Sequence, residues 1–156
     1  MATPVSRMFS LMLSASIATI MPQSRLAGTW TAELPQAVRT EDGVVSVEST
    51  TPGTLVLEMR GDSVFGTLMR GRGPTARPLR GKITDNKVVL VAQSLARVYA
   101  DGGENTLALL TTFRLTLNGN AMTGTIETSR DPSSPPITLP GVEQPPLPVT
   151  VKRTAP

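Results

Sequence analysis

"TLVLEMRGDSVFGTL" (residues 54–68) and "TFRLTLNGNAMTGTI" (residues 112–126) decide the fold of this chain. Laid over one another, Leu55, Leu57 and Met59 fall on Phe113, Leu115 and Leu117. Gly61-Asp62 falls on Gly119-Asn120, and Val64, Gly66 and Leu68 fall on Met122, Gly124 and Ile126. Each copy alternates apolar and polar residues, breaks at a Gly-Asx pair, then alternates again. That pattern predicts a β-hairpin with one buried face. A looser third copy, "LRGKITDNKVVLV" (79–91), alternates through Leu79, Gly81 and Ile83, turns at Asp85-Asn86 and resumes at Val88 and Leu90. The first copy contains Arg60-Gly61-Asp62, a tripeptide by which many extracellular proteins engage adhesion receptors. The second reads Asn118-Gly119-Asn120 at the same place. Turn chemistry is kept where the tripeptide is lost, so Gly61 and Asp62 are read as turn residues suited to positive φ.

Working outward, strands are predicted near 27–34, 54–60, 64–70, 77–83, 87–95, 106–117, 121–128 and 148–153. The stretch "VVSVES" (44–49) either extends the second strand or forms a small hairpin of its own. No sustained helical period follows the N-terminal region. Sequential hairpins predict an all-β, antiparallel up-and-down meander, and eight twisted strands favour closure into a barrel over a two-sheet β-sandwich. The chain ends support closure. In "AGTWTAEL", Gly28, Trp30, Ala32 and Leu34 share one face; in "PVTVKR", Val149, Val151 and Arg153 do. If both faces point inward, the single Trp and Arg153 meet at one end of the barrel.

Gly28-Thr29-Trp30 on a first strand with Arg153 on a last strand resembles the calycin group: lipocalins, fatty-acid-binding proteins and avidins. The resemblance implies a barrel whose floor is closed by Gly28, Trp30 and Arg153, and a binding function. It departs from lipocalins in ending three residues after Arg153 and in reading Thr84-Asp85-Asn86 where their motif carries a Tyr.

Composition narrows the chemistry. The chain has 156 residues, a length suited to one domain, with no Cys and no His. Disulfide scaffolds, thiol chemistry and the commonest zinc sites are thereby excluded, as are His- and Cys-based dyads and triads. The net charge is +3 without a long basic block, so nucleic acid is not an expected partner. Arg7 followed by the apolar run Met8 to Met21 predicts a secretory signal, cut near Ala18. Residues 1–18 are then the signal, 19–26 a short arm and 27–153 one barrel domain, secreted or periplasmic, with no transmembrane span in the mature chain.

The expected function is non-catalytic binding, of a small apolar ligand in the barrel or of a protein partner at its rim. Trp30, Tyr99 and Phe113 are the candidate ligand contacts. Three inward glycines, Gly66, Gly81 and Gly124, are expected to leave space among the inner aliphatics, with nothing polar aimed inward. No cofactor, metal or catalytic residue is expected. Arg70, Arg72, Arg77, Arg80 and Lys82 carry no acid between them and form a candidate patch for an anion or acidic partner; a solvated hairpin loop is the plainer reading. Residues 131–148 hold seven of the 14 prolines and are expected to run outside any central strand, as a lid or a surface crossing. Some bacterial protease inhibitors use a similar small barrel opening with G-x-W, so an exported inhibitor inserting residues 19–26 is the alternative. A carboxylate-based barrel enzyme ranks last, because the inferred inner face carries almost no acids.

Overall fold

The computed structural model describes residues 26–73, 75–100, 102–136 and 143–154. The expected signal, and the arm apart from Leu26, lie outside these residues. Eight strands follow one another: β1 (Gly28–Glu41), β2 (Val44–Arg60), β3 (Ser63–Arg70), β4 (Ala76–Thr84), β5 (Lys87–Ala100), β6 (Gly103–Asn118), β7 (Ala121–Arg130) and β8 (Gln144–Arg153). Each pairs antiparallel with the next and β8 returns to β1, closing the barrel. No helix occurs among the described residues, so none there is long and apolar enough to cross a membrane.

The repeat is the barrel's floor. Gly61-Asp62, Asp85-Asn86 and Gly119-Asn120 each form a two-residue connection, between β2–β3, β4–β5 and β6–β7. In all three the first residue has positive φ: 64° at Gly61, 54° at Asp85 and 63° at Gly119. The second residue works through its backbone. The carbonyls of Asp62, Asn86 and Asn120 accept hydrogen bonds from the N–H groups of Ile83, Leu117 and Arg153, at 3.0, 2.8 and 2.8 Å. Each turn is thereby stitched to a later strand, which explains why three turns of one design recur at one end.

The Arg60 guanidinium lies 5.4 Å from the centre of the Phe65 ring, so the adhesion tripeptide is built into its own hairpin. Gly61→Val should cost more than about 1 kcal/mol by forcing a β-branched residue to positive φ, measurable by urea denaturation. Asp62→Glu should leave the fold intact. Cell attachment that vanishes with Asp62→Glu while stability is unchanged would show that the tripeptide is also a signal.

Inward alternation carries through the body of the barrel. Trp30, Leu34, Leu55, Leu57, Leu79, Leu90, Phe113 and Met122 belong to one continuous buried cluster. At about 25 cal/mol per Å² of apolar surface removed from water, that cluster is the main source of stability.

Two departures from the predicted strands matter. β1–β2 and β5–β6 run well past the expected ends. Residues 44–49 extend the second strand across an Asp42-Gly43 turn with φ of 50° and 77° at its two residues. The second correction concerns proline. β8 begins at Gln144 and contains Pro145 and Pro146 as well as Pro148, whereas the last strand is expected to begin near 148 and the Pro-rich segment to stay out of any central strand.

Backbone alternation explains how those prolines are tolerated. Arg153 donates its N–H to Asn120 on the β7 side, while Thr154 donates to Thr29 of β1. The nitrogens of Pro146 and Pro148 therefore face β1, where no ladder bond is required. Pro145 sits where the β7–β8 register shifts. Pro35 of β1 presents its own hydrogen-free nitrogen toward β8. The β1–β8 ladder accordingly spans only Trp30–Ala32 against Arg153–Val151, and beyond it the seam is lined by strand edges short of donors.

Candidate functional site

Trp30 anchors the closed end. It is fully buried, and its indole N–H donates to the Leu26 carbonyl at 2.9 Å. Leu26, assigned to the arm by sequence, is itself fully buried and belongs to the floor. The Arg153 guanidinium lies 4.3 Å from the centre of the Trp30 ring and donates to the Ala27 carbonyl at 2.7 Å. Gly28 makes the room: its φ is 131°, and a Cβ there would meet the Arg153 guanidinium at 2.7 Å. The three residues chosen for closure do meet.

The three candidate ligand contacts are not brought together. Trp30 and Phe113 lie in the packed interior with no exposed surface, whereas Tyr99 is 80 % exposed near the tip of β5. The expected space is not there either. At Gly66, Gly81 and Gly124 a Cβ would land on the carbonyl oxygens of Val56, Val89 and Arg114, the backbone of the neighbouring strand. These glycines mark places where a tightly coiled sheet brings two backbones together, not gaps between side chains.

The opposite end, the mouth, differs in chemistry. The inward series Val64, Gly66, Leu68 continues to Arg70, and Ile83, Gly81, Leu79 continues to Arg77. Both arginines are half-buried. Thr111 is buried, and Ser94, Thr128 and Arg130 share the inner face of β5 and β7 by the same alternation. The expectation that nothing polar points inward fails at this end, because alternation carries the charged strand ends to the inner side.

The five-residue basic patch is consequently divided. Arg70 and Arg77 turn into the mouth, Arg80 and Lys82 turn outward from β4, and Arg72 is exposed in the β3–β4 connection. An Arg70 Nη donates to the Pro35 carbonyl, at the point where the β1–β2 register shifts. Arg70 thus fastens β1 across the mouth much as Arg153 does at the floor. Burial, and next the nearby charge of Arg77, pull Arg70 below the usual guanidinium value, although the group stays charged in any ordinary buffer.

Two β-ribbons rise around this mouth. In the ladder, residues 35–50 pair only with each other, since β3 begins to pair with β2 at Gly53 and β8 leaves β1 after Ala32. Residues 95–108 do likewise on β5 and β6. On the first ribbon Val38 and Val45 pack against the core, while Val44 is 67 % exposed. On the second, Leu95 and Tyr99 are 72 % and 80 % exposed. Ion pairs on the ribbons, Arg39 with Glu41 along β1 and with Glu48 across to β2, and Arg97 with Glu104, are solvent-exposed and add well under about 1 kcal/mol each.

The start of the Pro-rich crossing is tied to the second ribbon. Asp131 donates its N–H to the Ala108 carbonyl at 2.9 Å, and Ala108 donates to the Ser134 hydroxyl at 2.7 Å. The Asp131 carboxylate accepts from the Ser133 N–H and hydroxyl and from Gln93, which holds its pKa below the usual carboxylate value. Residues 137–142 of this crossing lie outside the described residues.

Below the seam a cleft of about 430 Å³ opens between β8 and β1–β2, lined by Thr31, Glu33, Pro52, Pro148, Thr150 and Lys152 among others. Among the described residues, no three acidic side chains cluster as a metal site would require. The sequence signal for the ribbons was Asp42-Gly43, a strong hairpin pair. Comparison with protein-family models, curated proteins and solved structures finds no match.

Proposed function

We propose that this chain is an exported, non-catalytic binding protein with a calycin-like barrel, and that it engages a protein partner through the two ribbons at its mouth. One observation carries this reading. Of the six exposed large apolar side chains among the described residues, Val44, Val47, Leu95 and Tyr99 stand on the ribbons. Exposed apolar groups gathered beside unpaired strand edges are the usual mark of a protein-binding surface. Interior packing favours the rim over an internal ligand. Trp30, Leu34, Leu55, Val64, Leu90, Phe113 and Met122 offer a water no surface at all, so a ligand there would have to displace them. The Gly28–Trp30–Arg153 floor supports the calycin comparison, and Arg7 with the apolar run after it supports export.

An exported enzyme inhibitor remains the second reading, since a projecting ribbon is also a shape that can enter an enzyme cleft. A photo-crosslinker placed at Tyr99 or Val44 should capture a discrete protein from periplasmic extract, and one at Val89 on the barrel wall should not. Titration with fatty acids, retinoids and hydrophobic dyes should leave the emission of Trp30, the sole tryptophan, unchanged. Saturable quenching without capture at the ribbons would transfer the function to the barrel interior.

A further inference from the structure

Arg70 and Arg77 share the inner face of adjacent strands. The β3–β4 register sets Arg77 opposite Leu68, so Arg70 is its diagonal neighbour, about 7–8 Å away along the sheet. At that spacing two long side chains are within reach of each other. Neither has a carboxylate within ion-pair reach among the described residues; the ion pairs there use Arg39, Arg97 and Arg114 instead. Two like charges, each half removed from water, are unfavourable together unless something negative lies between them.

The surroundings suit an anion. Arg70 is held in place by its bond to the Pro35 carbonyl, which leaves the rest of its planar fork to bind. The β4–β5 pairing ends with Leu79 opposite Ala92, and Ser94 is the next inner-face residue of β5 beyond it. Thr111 and Thr128 pair on the same inner face. Ser94, Thr111 and Thr128 thus add hydroxyl groups to the inner face at this end, while the interior beyond is apolar down to Trp30 and Arg153 at the floor.

We propose that Arg70 and Arg77 form an oxyanion site at the barrel mouth, taking one carboxylate or phosphate group between their guanidinium forks. Paired guanidiniums bind planar or tetrahedral oxyanions bidentately, which single surface lysines do not do. The site stands apart from the docking of a protein on the ribbons, and its test needs only the isolated protein.

Inorganic phosphate and acetate are titrated separately, at constant ionic strength, while the Nε–H signals of the arginines are followed by NMR and melting is recorded in parallel. Arg70 and Arg77 signals should move together and saturate with at least one of the two anions, which also tells a phosphate site from a carboxylate site. At ten times the dissociation constant the melting temperature should rise by about 3 °C. Arg77→Gln should weaken binding at least roughly tenfold without lowering the melting point, because it removes a like charge and leaves the Pro35 bond intact. Arg80→Gln removes the same charge from the outer face and should leave the anion response as it is. The proposal is overturned if neither anion gives a saturable shift, or if Arg77→Gln and Arg80→Gln respond to anions equally.

Discussion

Gly124→Ala should destabilise the barrel by about 2–3 kcal/mol, although it adds a single methyl group at a half-buried position. The added carbon would sit on the Arg114 carbonyl of β6, and a backbone atom cannot step aside as a side chain can. β7 would have to move away from β6, disturbing the ladder that holds Leu115 opposite Gly124. Gly66→Ala and Gly81→Ala should behave alike, since each meets a neighbouring carbonyl in the same manner. Gly73→Ala is the control: no atom lies near its Cβ position and its φ is not positive. There alanine should be neutral or slightly stabilising, through reduced freedom of the unfolded chain. Urea denaturation reads the difference as a shift in midpoint at unchanged slope. If Gly124→Ala were as mild as Gly73→Ala, these glycines would be ordinary strand residues and the close approach of the backbones would not be what selects them.

The same glycines show how far sequence reading reaches. Their inward parity follows from alternation with Leu68, Leu79 and Met122 on their own strands. Their meaning does not, because closeness between backbones of adjacent strands leaves no trace in a hydrophobic pattern. The barrel itself was legible, since a half-buried strand must alternate and three copies of one hairpin alternate alike. The floor was legible for the same reason: Trp30 and Arg153 were assigned to one face by counting in twos. The ribbons were legible only in part, through the alternation of residues 44–49 that extends the second strand. Residues 35–50 lose the contrast between faces that barrel strands show. The inward arginines were missed through a different fault. Grouping Arg70 with Arg72 and Arg77 with Arg80 by charge ignored the period of two already established by Leu68 and Leu79. Proline in β8 was excluded by a rule that holds for strands bonded on both sides, and β8 is bonded on both sides only near its end.

Arg153→Ala and Trp30→Phe should each cost about 2–3 kcal/mol, and together they should cost less than their sum. Arg153→Ala removes the guanidinium from the indole face and leaves the Ala27 carbonyl without that donor. Trp30→Phe leaves the Leu26 carbonyl without its indole N–H partner and opens space in a fully buried site. With phenylalanine in place, the guanidinium covers a smaller and less electron-rich ring, so losing Arg153 matters less. The coupling should be on the order of 1 kcal/mol, the scale of a desolvated cation–π contact. Because Trp30 is the sole tryptophan, unfolding must be followed by circular dichroism in all four proteins. The β1–β8 ladder has only three residue pairs, with the Thr154–Thr29 hydrogen bond and the Arg153 contacts beside them, so the two changes act on its shortest length. Losses that add within about 0.3–0.5 kcal/mol would mean that Arg153 and Trp30 hold the floor independently, through their separate bonds to Ala27 and Leu26.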